Sequence, residues 1–296
     1  MIQIFTMIRR LPWFVALSFF AIVSCNSSGH SGESDNTAVS DAPKWDLGIA
    51  LWTFHTVDFP TSLAQVDSCG VKFIEPNTFH ATGKELNDTL LGQLSEAGIN
   101  KLKTYVSDHG LEVGSLYLGG GKTVGAWKRD FEKAKQLNVR FVTAEPPVDM
   151  WDEVDSLAGV YGLNVAIHEH WKGVSAYWHP DSVLAAIKDH PHFYACADLG
   201  HWPKSGIKPI DAVKKLEGRI LGVHLKDIAA YNDPKLQDVR VGTGVVDFPA
   251  IFKELKRQNF SGIIYIERDS QEVHSNVPSV IETVKYYNEE MKKLEN

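Results

Sequence analysis

Eight short runs of apolar and β-branched residues recur along the chain, and they constrain the fold more than any other feature. They fall at residues 47–54, 71–76, 112–118, 140–144, 164–168, 193–197, 220–225 and 262–267. Helical patterns separate them, at residues 90–107, 127–137, 180–188, 209–216, 248–258 and 277–294. Because strands that alternate with helices usually pair in parallel, the pattern predicts an α/β fold around a parallel sheet.

The number of repeating units favours a closed barrel over an open sheet. Eight strand–helix alternations within residues 44–296, about 250 residues, match the usual size of a single (β/α)8 barrel, the TIM barrel. Several runs are apolar at nearly every position, as expected for strands that are covered on both faces. An open dinucleotide-binding sheet would carry G-x-G-x-x-G after its first strand. Here the first run is followed by His55, Thr56 and Val57 instead.

The first 43 residues have a different composition from the rest of the chain. Arg9 and Arg10 precede an apolar run at residues 11–24, which is shorter than the ~20 residues that span a bilayer. This pattern is typical of a secretory signal, and the I-V-S-C sequence that ends at Cys25 resembles a bacterial lipobox. We interpret residues 1–24 as a signal peptide and residues 25–43 as a lipidated Cys25 followed by a flexible tether. An ordinary signal peptide with an incidental Cys25 is the alternative.

This interpretation predicts an exported protein, periplasmic or on the cell surface, which is held at a membrane only by its lipid anchor. Once residues 1–24 are removed, 28 basic and 37 acidic residues remain, a net charge of −9. Such a charge argues against a nucleic-acid partner, since phosphate binding depends on clustered Lys and Arg. The two other cysteines, Cys69 and Cys196, provide no disulfide framework and are expected to be buried thiols.

Ionisable residues close six of the eight strand-like runs. In a TIM barrel the chemistry lies at the carboxyl ends of the strands. Charged groups that are buried there must be paired or metal-bound, and carboxylates mixed with imidazoles make a site for a divalent cation. The residues are Glu75, Glu145, His168 in H-E-H, Asp198 in D-L-G-H, His224 in H-L-K-D and Glu267 in E-R-D.

Four of these residues follow one another on successive strands, and we predict that together they bind one metal ion: His168, Asp198, His224 and Glu267. Taken singly, each has a simpler explanation, such as a hydrogen-bonded core histidine or a helix cap at Asp198. The mixed ligand set suits Mn, Co, Zn or Fe better than Mg. The hypothesis fails if the four head groups are more than about 8 Å apart, because metal–ligand bonds are only ~2–2.6 Å long.

Four motifs share their order and spacing with a known family: D-L-G-H at 198–201, G-V-H-L-K-D at 222–227, G-T-G-V-V-D-F at 242–248 and G-I-I-Y-I-E at 262–267. Together they strongly resemble the xylose-isomerase-like TIM-barrel superfamily, over residues 46–295. That superfamily includes sugar phosphate isomerases/epimerases, ketose 3-epimerases, inosose dehydratases and endonuclease IV. The resemblance implies that Asp198, His224 and Glu267 bind metal and that His201 contacts the substrate. His168 stands where the epimerases have Glu, so a proton shuttle between two carboxylates is not expected here.

The chemistry predicted from these residues is the metal-assisted enolisation of a sugar. A cation would polarise adjacent carbonyl and hydroxyl oxygens while a base removes the neighbouring proton. Glu145 and Glu267 are the carboxylate candidates for that base. Lys226 or His170 would serve if burial brings its pKa towards neutrality.

Other residues at the predicted barrel mouth are expected to contact the substrate. They are His201, His170, Glu75 and Trp52, and Trp171, Trp178 and Trp202 also follow strands closely enough to stack on sugar rings. Packing at the barrel rim is the alternative for each tryptophan. Sugar phosphates are mostly cytoplasmic and no phosphate site is evident, so an unphosphorylated sugar is the expected partner of an exported enzyme.

Several outcomes share this first step. Reprotonation gives an isomerase or epimerase, whereas expulsion of a β-leaving group or addition of water gives a lyase or hydratase acting on 3-keto-glycosides. A sugar-binding lipoprotein without catalysis is a further alternative. A nuclease is disfavoured because it needs a basic groove for DNA. The oligomeric state stays open.

Overall fold

The structure, a computed structural model, describes residues 45–295. The signal peptide, the lipidated Cys25 and the tether expected at residues 1–43 lie outside this range, so they stay predictions. Among the described residues, no helix combines the length and the apolar character that crossing a membrane requires.

Strands alternate with helices along the described chain, as predicted. The strands are β1 (Asp46–Ala50), β2 (Phe73–Glu75), β3 (Glu112–Val113), β4 (Ser115–Tyr117), β5 (Phe141–Ala144), β6 (Val165–Ile167), β7 (Phe193–Asp198), β8 (Ile220–Leu225), β9 (Asp227–Ile228), β10 (Asp238–Val239) and β11 (Ile263–Ile266). One parallel sheet has the order β3-β2-β1-β11-β8-β7-β6-β5-β4, and β9 and β10 form a separate antiparallel pair.

The two ends of this sheet meet, which closes the barrel. β3 pairs with β2 and β4 pairs with β5, and the N–H of Tyr117 donates to the carbonyl of Pro76 at 2.8 Å. β3 and β4 are one predicted strand, interrupted at Gly114. A Cβ at this position would lie 2.5 Å from Tyr265 Oη and 2.6 Å from Ile263 Cδ1, so only glycine fits. The predicted (β/α)8 barrel is therefore confirmed.

Helices follow the strands and cover the outside of the barrel. They are α1 (Phe59–Asp67), α2 (Glu96–Asp108), α3 (Val124–Leu137), α4 (Trp151–Tyr161), α5 (Pro180–Lys188), α6 (His201–Lys204), α7 (Pro209–Lys215), α8 (Phe248–Arg257) and α9 (Val277–Glu295). The helix predicted from residue 90 begins only at Glu96, because the Ser95 side chain caps it by accepting from the N–H of Gly98. α1, α4 and the four-residue α6 add to the six helices that the pattern indicates.

The first strand is shorter than the run that predicts it. β1 ends at Ala50, and Leu51–Phe54 form a 3₁₀ helix. Thr53 explains the change, since its hydroxyl donates to the carbonyl of Ile266 at 3.3 Å and accepts from the N–H of Arg268 at 3.2 Å. These bonds replace strand pairing and turn the chain across the barrel mouth.

A small apolar cluster fills the inside of the barrel below its mouth. It is separate from the large core between strands and helices. Phe73 and Tyr265 in this cluster precede Glu75 and Glu267 by two residues, and side chains two apart in a strand point to the same face. The alternation of side chains along the strands therefore places an apolar layer beneath the polar residues at the barrel mouth. Both predicted thiols, Cys69 and Cys196, are free and buried.

Candidate functional site

Four strands bring the predicted metal ligands together at the carboxyl end of the barrel. The ligand atoms of His168, Asp198, His224 and Glu267 all lie within 4.8 Å of one another, and all four residues are buried. His168 follows β6, Asp198 ends β7, His224 lies near the end of β8, and Glu267 follows β11. Their predicted convergence is confirmed, well inside the separation that would have excluded it. We call these four residues the ligand cluster.

The facing atoms of the ligand cluster have no hydrogen-bond partner among the described residues: His168 Nε2, Asp198 Oδ2, His224 Nδ1 and Glu267 Oε2. His224 Nδ1 and Glu267 Oε2 are only 2.5 Å apart. A buried polar atom that stays unpaired costs about 1–3 kcal/mol. A divalent cation at the centre would satisfy all four atoms, so this donor set fits a metal ion with nitrogen and oxygen ligands.

Glu75 holds His224 in the orientation that a metal ligand needs. His224 Nε2 donates to Glu75 Oε1 at 2.8 Å, and Ser115 and Thr143 each donate to Glu75 Oε2 at 2.5 Å. Because a carboxylate only accepts, Nε2 carries a proton and Nδ1 is the nitrogen that faces the ligand cluster. Burial alone would raise the pKa of Glu75, but His224 and the two hydroxyls lower it. Glu75 lines the cavity described below, as expected for a substrate contact, but its oxygens are already engaged by these three protein donors.

Asp198 divides its two oxygens between the backbone and the ligand cluster. Oδ1 accepts from the N–H groups of Gly200 and His201 at 2.9 and 3.1 Å, which leaves Oδ2 for the cluster. The N–H of Asp198 in turn donates to Glu169 Oε1 at 2.8 Å. The position of this carboxylate is therefore fixed from two sides.

Glu145, expected to be a base, lies behind two histidines and does not line the cavity described below. Its Oε1 accepts from His170 Nδ1 and lies 3.5 Å from His168 Nδ1, and its Oε2 accepts from Ser175 Oγ at 2.5 Å. Burial alone would lower the pKa of His168, but Asp198 and Glu145 raise it to about 9. A proton on His168 therefore places positive charge at the ligand cluster, where a bound cation would otherwise supply it.

Lys226 and His201 are each only 1% exposed and do not line this cavity either. Lys226 Nζ lies 3.1 Å from Asp198 Oδ2, 3.4 Å from Glu267 Oε2 and 2.9 Å from Asp269 Oδ1. It is also 3.1 Å from His201 Nε2. Burial alone would lower the pKa of Lys226, but the carboxylates raise it well above its usual value. The ammonium group therefore balances the charge of the surrounding acids.

A cavity of about 140 Å³, which we call the inner cavity, opens onto the ligand cluster. Trp52 and His170 line it, as expected for substrate contacts. Asn77, Phe79 and Tyr117 also line it, and the sequence reasoning missed all three. Burial raises the pKa of Tyr117 well above its usual value, so its phenol keeps its proton and can donate a hydrogen bond. Asn77 is 4% exposed, and its Oδ1 has no partner among the described residues.

Only part of the predicted aromatic set reaches the barrel mouth. Trp52 is 38% exposed and stacks on His55 with 4.3 Å between ring centroids. Trp171 lines a second pocket beside the inner cavity. Trp202 is fully buried, so the prediction that it stacks on a sugar is wrong. Its alternative, packing at the barrel rim, is what the structure shows.

Known proteins resemble the chain in sequence and in fold. Residues 63–296 match the family model described as "Xylose isomerase-like TIM barrel". Over 150 residues the chain is 28% identical to the inosose dehydratase of Clostridium botulinum (strain Alaska E43 / Type E3), a match that covers 46% of this chain and 48% of the relative. The chain thus spans about half the length of the curated relatives that it matches first.

Two solved structures share the fold. An uncharacterised protein from Parabacteroides distasonis ATCC 8503 is 30% identical, with a TM-score of 0.66 over 83% of this chain and 98% of that protein. The IOLI protein, crystallised with a bound zinc atom, is 18% identical, with a TM-score of 0.70 over 84% of this chain and 98% of its own. Since the family model matches well over half of its length, this chain belongs to the xylose isomerase-like TIM barrel family.

Proposed function

We propose that this chain is a divalent-metal-dependent enzyme that enolises an unphosphorylated sugar or a sugar-like ketone. One observation carries the proposal: four buried ligand atoms without a hydrogen-bond partner among the described residues converge beside a cavity at the carboxyl end of a TIM barrel. This is the end where barrel enzymes carry their chemistry. The inosose dehydratases that the chain resembles are consistent with a substrate of this class.

The ligand cluster would hold the cation through two imidazole nitrogens and two carboxylate oxygens. When bound there, a divalent cation supplies Lewis-acid stabilisation of the negative charge that develops on adjacent carbonyl and hydroxyl oxygens. Glu75 and Glu145 would keep His224 and His168 in their ligating orientations. Such outer carboxylates are a common feature of metal-binding histidines.

His170 is our candidate for the base that removes the proton next to the carbonyl. It lines the inner cavity, and its Nδ1 donates to Glu145, so its Nε2 carries the lone pair that can accept a proton. Glu145 is then a positioning residue, which orients the base as the third member of a triad orients a catalytic histidine. Glu267 remains the carboxylate candidate, because it lines the inner cavity as well.

Two outcomes follow from the same proton abstraction. Return of the proton to the substrate gives isomerisation or epimerisation, whereas loss of a hydroxyl group from the neighbouring carbon gives dehydration. The similarity to several inosose dehydratases favours dehydration as the second candidate. His168 also favours dehydration over epimerisation, because it replaces one of the two carboxylates on which a familiar 3-epimerase depends.

Deuterium incorporation tests the shared first step, whichever outcome follows. In D₂O, a panel of ketoses and 3-keto-glycosides is followed by NMR with Mn²⁺ and with EDTA, and we expect exchange only with the metal. His170→Asn should slow exchange by roughly 10²–10⁴-fold, the usual contribution of a general base, while about one metal ion per chain is retained. His190→Asn is the control, because His190 bonds to Asp152 outside the inner cavity. Exchange that is equally fast in EDTA would refute the proposed function.

A further inference from the structure

A second pocket, of about 390 Å³, lies beside the inner cavity. Three residues line both spaces: Trp52, His170 and Asp269. A molecule held at the ligand cluster can therefore extend across this shared wall. We call the second space the outer pocket, and its electrostatic character differs from that of the ligand cluster.

The main feature of the outer pocket is a largely buried lysine whose ammonium group has no partner among the described residues. Lys204 lines the pocket and is 7% exposed. It makes no ion pair or hydrogen bond with any residue between 45 and 295, and its Nζ lies 4.1 Å from the centre of the Trp171 ring. Buried lysines are rarely left unpaired, because removing the ammonium group from water is costly. Burial accordingly lowers the pKa of Lys204.

The rest of the outer pocket also favours negative charge in a ligand. Lys235 is a second lysine in its wall. Asp269 is the one carboxylate among the described residues that line it, and this group is already paired with Lys226 at 2.9 Å. The outer pocket is therefore locally positive in a chain whose net charge is −7. A local charge of this sign attracts anions.

We propose that the outer pocket binds an anionic group, a carboxylate or a phosphate, carried by the same substrate whose oxygens the ligand cluster holds. Lys204 pairs with the anion, and Trp52 and Trp171 pack against the carbon skeleton that bears it. This inference rests on the proposed function for the part of the substrate in the inner cavity. The unphosphorylated substrate proposed above makes a carboxylate the expected group, so the substrate class is a keto sugar acid or its glycoside.

Calorimetric titration of the Mn²⁺-loaded protein tests this inference with three related ketoses: D-fructose, D-fructuronate and D-fructose 6-phosphate. We expect fructuronate to bind about tenfold more tightly than fructose, as one charge-assisted hydrogen bond predicts. Lys204→Met should abolish that preference and leave fructose binding unchanged. Lys172→Met is the matched control, because Lys172 also lies over a tryptophan, 5.0 Å from the Trp178 ring centre, but outside the outer pocket.

Equal affinities for fructose and fructuronate in the unsubstituted protein, or equal effects of Lys204→Met and Lys172→Met, would overturn the inference. A preference for fructose 6-phosphate that depends on Lys204 would support an anion site. It would contradict the proposal that the substrate is unphosphorylated. A separate titration with inorganic phosphate in EDTA distinguishes the two proposals. If the protein takes up no metal but binds phosphate in a Lys204-dependent way, the anion site in the outer pocket is supported. Only the proposed function is then refuted.

Discussion

Two groups of buried charges lie at the same end of this barrel, and they differ in how completely their atoms are paired. One is the ligand cluster. The other, which we call the loop anchor, comprises Asp227, Asp238 and Arg268, which together hold the long loop after β8. Asp227 and Arg268 follow barrel strands as the ligand cluster does, and both groups are nearly inaccessible to solvent. Burial and charge alone therefore do not distinguish a binding site from a structural support.

The loop anchor uses its polar atoms within the protein. Asp227 accepts from four backbone N–H groups, those of Ile228, Gly242, Gly244 and Val246. Asp238 accepts from Arg268 Nε and from the N–H of Ser270, and Arg268 Nη1 donates to Ser279 Oγ at 2.8 Å. None of these three charged side chains is among the described groups that lack a partner, whereas each ligand-cluster residue is. Four such atoms within 4.8 Å of one another, rather than one unpaired atom alone, distinguish the ligand cluster from the loop anchor.

The largest expected effect comes from removing one oxygen of the ligand cluster. Asp198→Asn keeps the shape of the side chain but removes the charge that a cation needs. We expect the bound metal to be lost and deuterium exchange to fall by about a thousandfold or more, since a catalytic cation contributes several kcal/mol. Metal analysis of the purified variant, together with the exchange assay, measures both. A variant that retains one tightly bound ion would show that the unpaired atoms do not mark a metal site.

Substitution in the loop anchor should lower the free energy of unfolding but leave metal binding intact. Asp238→Asn leaves Arg268 with only one carboxylate, that of the more exposed Glu272, 3.3 Å from its Nη1. Breaking a buried pair on one side costs roughly 3–5 kcal/mol. We expect urea unfolding to show that loss while the folded variant still takes up one metal ion. Glu282→Gln is the control, since Glu282 pairs with Lys285 on the exposed surface of α9 and such pairs contribute at most about 1 kcal/mol. Loss of metal uptake in Asp238→Asn would remove the distinction between the two groups.

The sequence predicts the barrel and the ligand cluster because both depend on local patterns. Apolar runs mark the strands, and His168, Asp198, His224 and Glu267 stand directly at their ends. The same patterns do not separate Asp198 from Asp227, since both are acids in short motifs after apolar runs. Only the folded chain shows that Asp227 accepts from distant backbone groups, whereas Asp198 directs one oxygen into the ligand cluster, 3.1 Å from Lys226 Nζ.

Other parts of the site depend on contacts that no spacing reveals. Glu145 meets His170 and Ser175 across loops, so its placement behind a histidine follows from tertiary structure. Lys204 lies at the end of a four-residue helix, away from any strand end. Asn77 and Tyr117 do follow or end predicted strands, but only acids, histidines, a lysine and tryptophans were predicted to form the site. Including amides and phenols would have found them.

A smaller effect is expected from Glu75, which is fully paired but supports an unpaired ligand. Glu75→Gln can no longer act purely as an acceptor for His224 Nε2, so the imidazole loses the partner that fixes its proton and orientation. Substituting such an outer partner typically lowers metal affinity by roughly 10–100-fold, and competition with a chelator measures it. Glu169→Gln is the matched control, because a glutamine oxygen can still accept the N–H of Asp198. Equal losses in both variants would mean that Glu75 supports the barrel rather than the ligand.

Asn77 gives the finest test, because it lines the inner cavity and has an unpaired atom, but lies outside the ligand cluster. If incomplete pairing marks substrate contacts as well as metal ligands, Asn77→Ala should raise KM by up to about tenfold, as the loss of one hydrogen bond predicts, and leave metal affinity unchanged. Gln136 provides the control, since its Oε1 is also buried without a partner among the described residues but does not line the inner cavity. Gln136→Ala should therefore leave KM unchanged. If Asn77→Ala and Gln136→Ala had equal KM values, an unpaired buried atom would indicate metal ligands only and not substrate contacts.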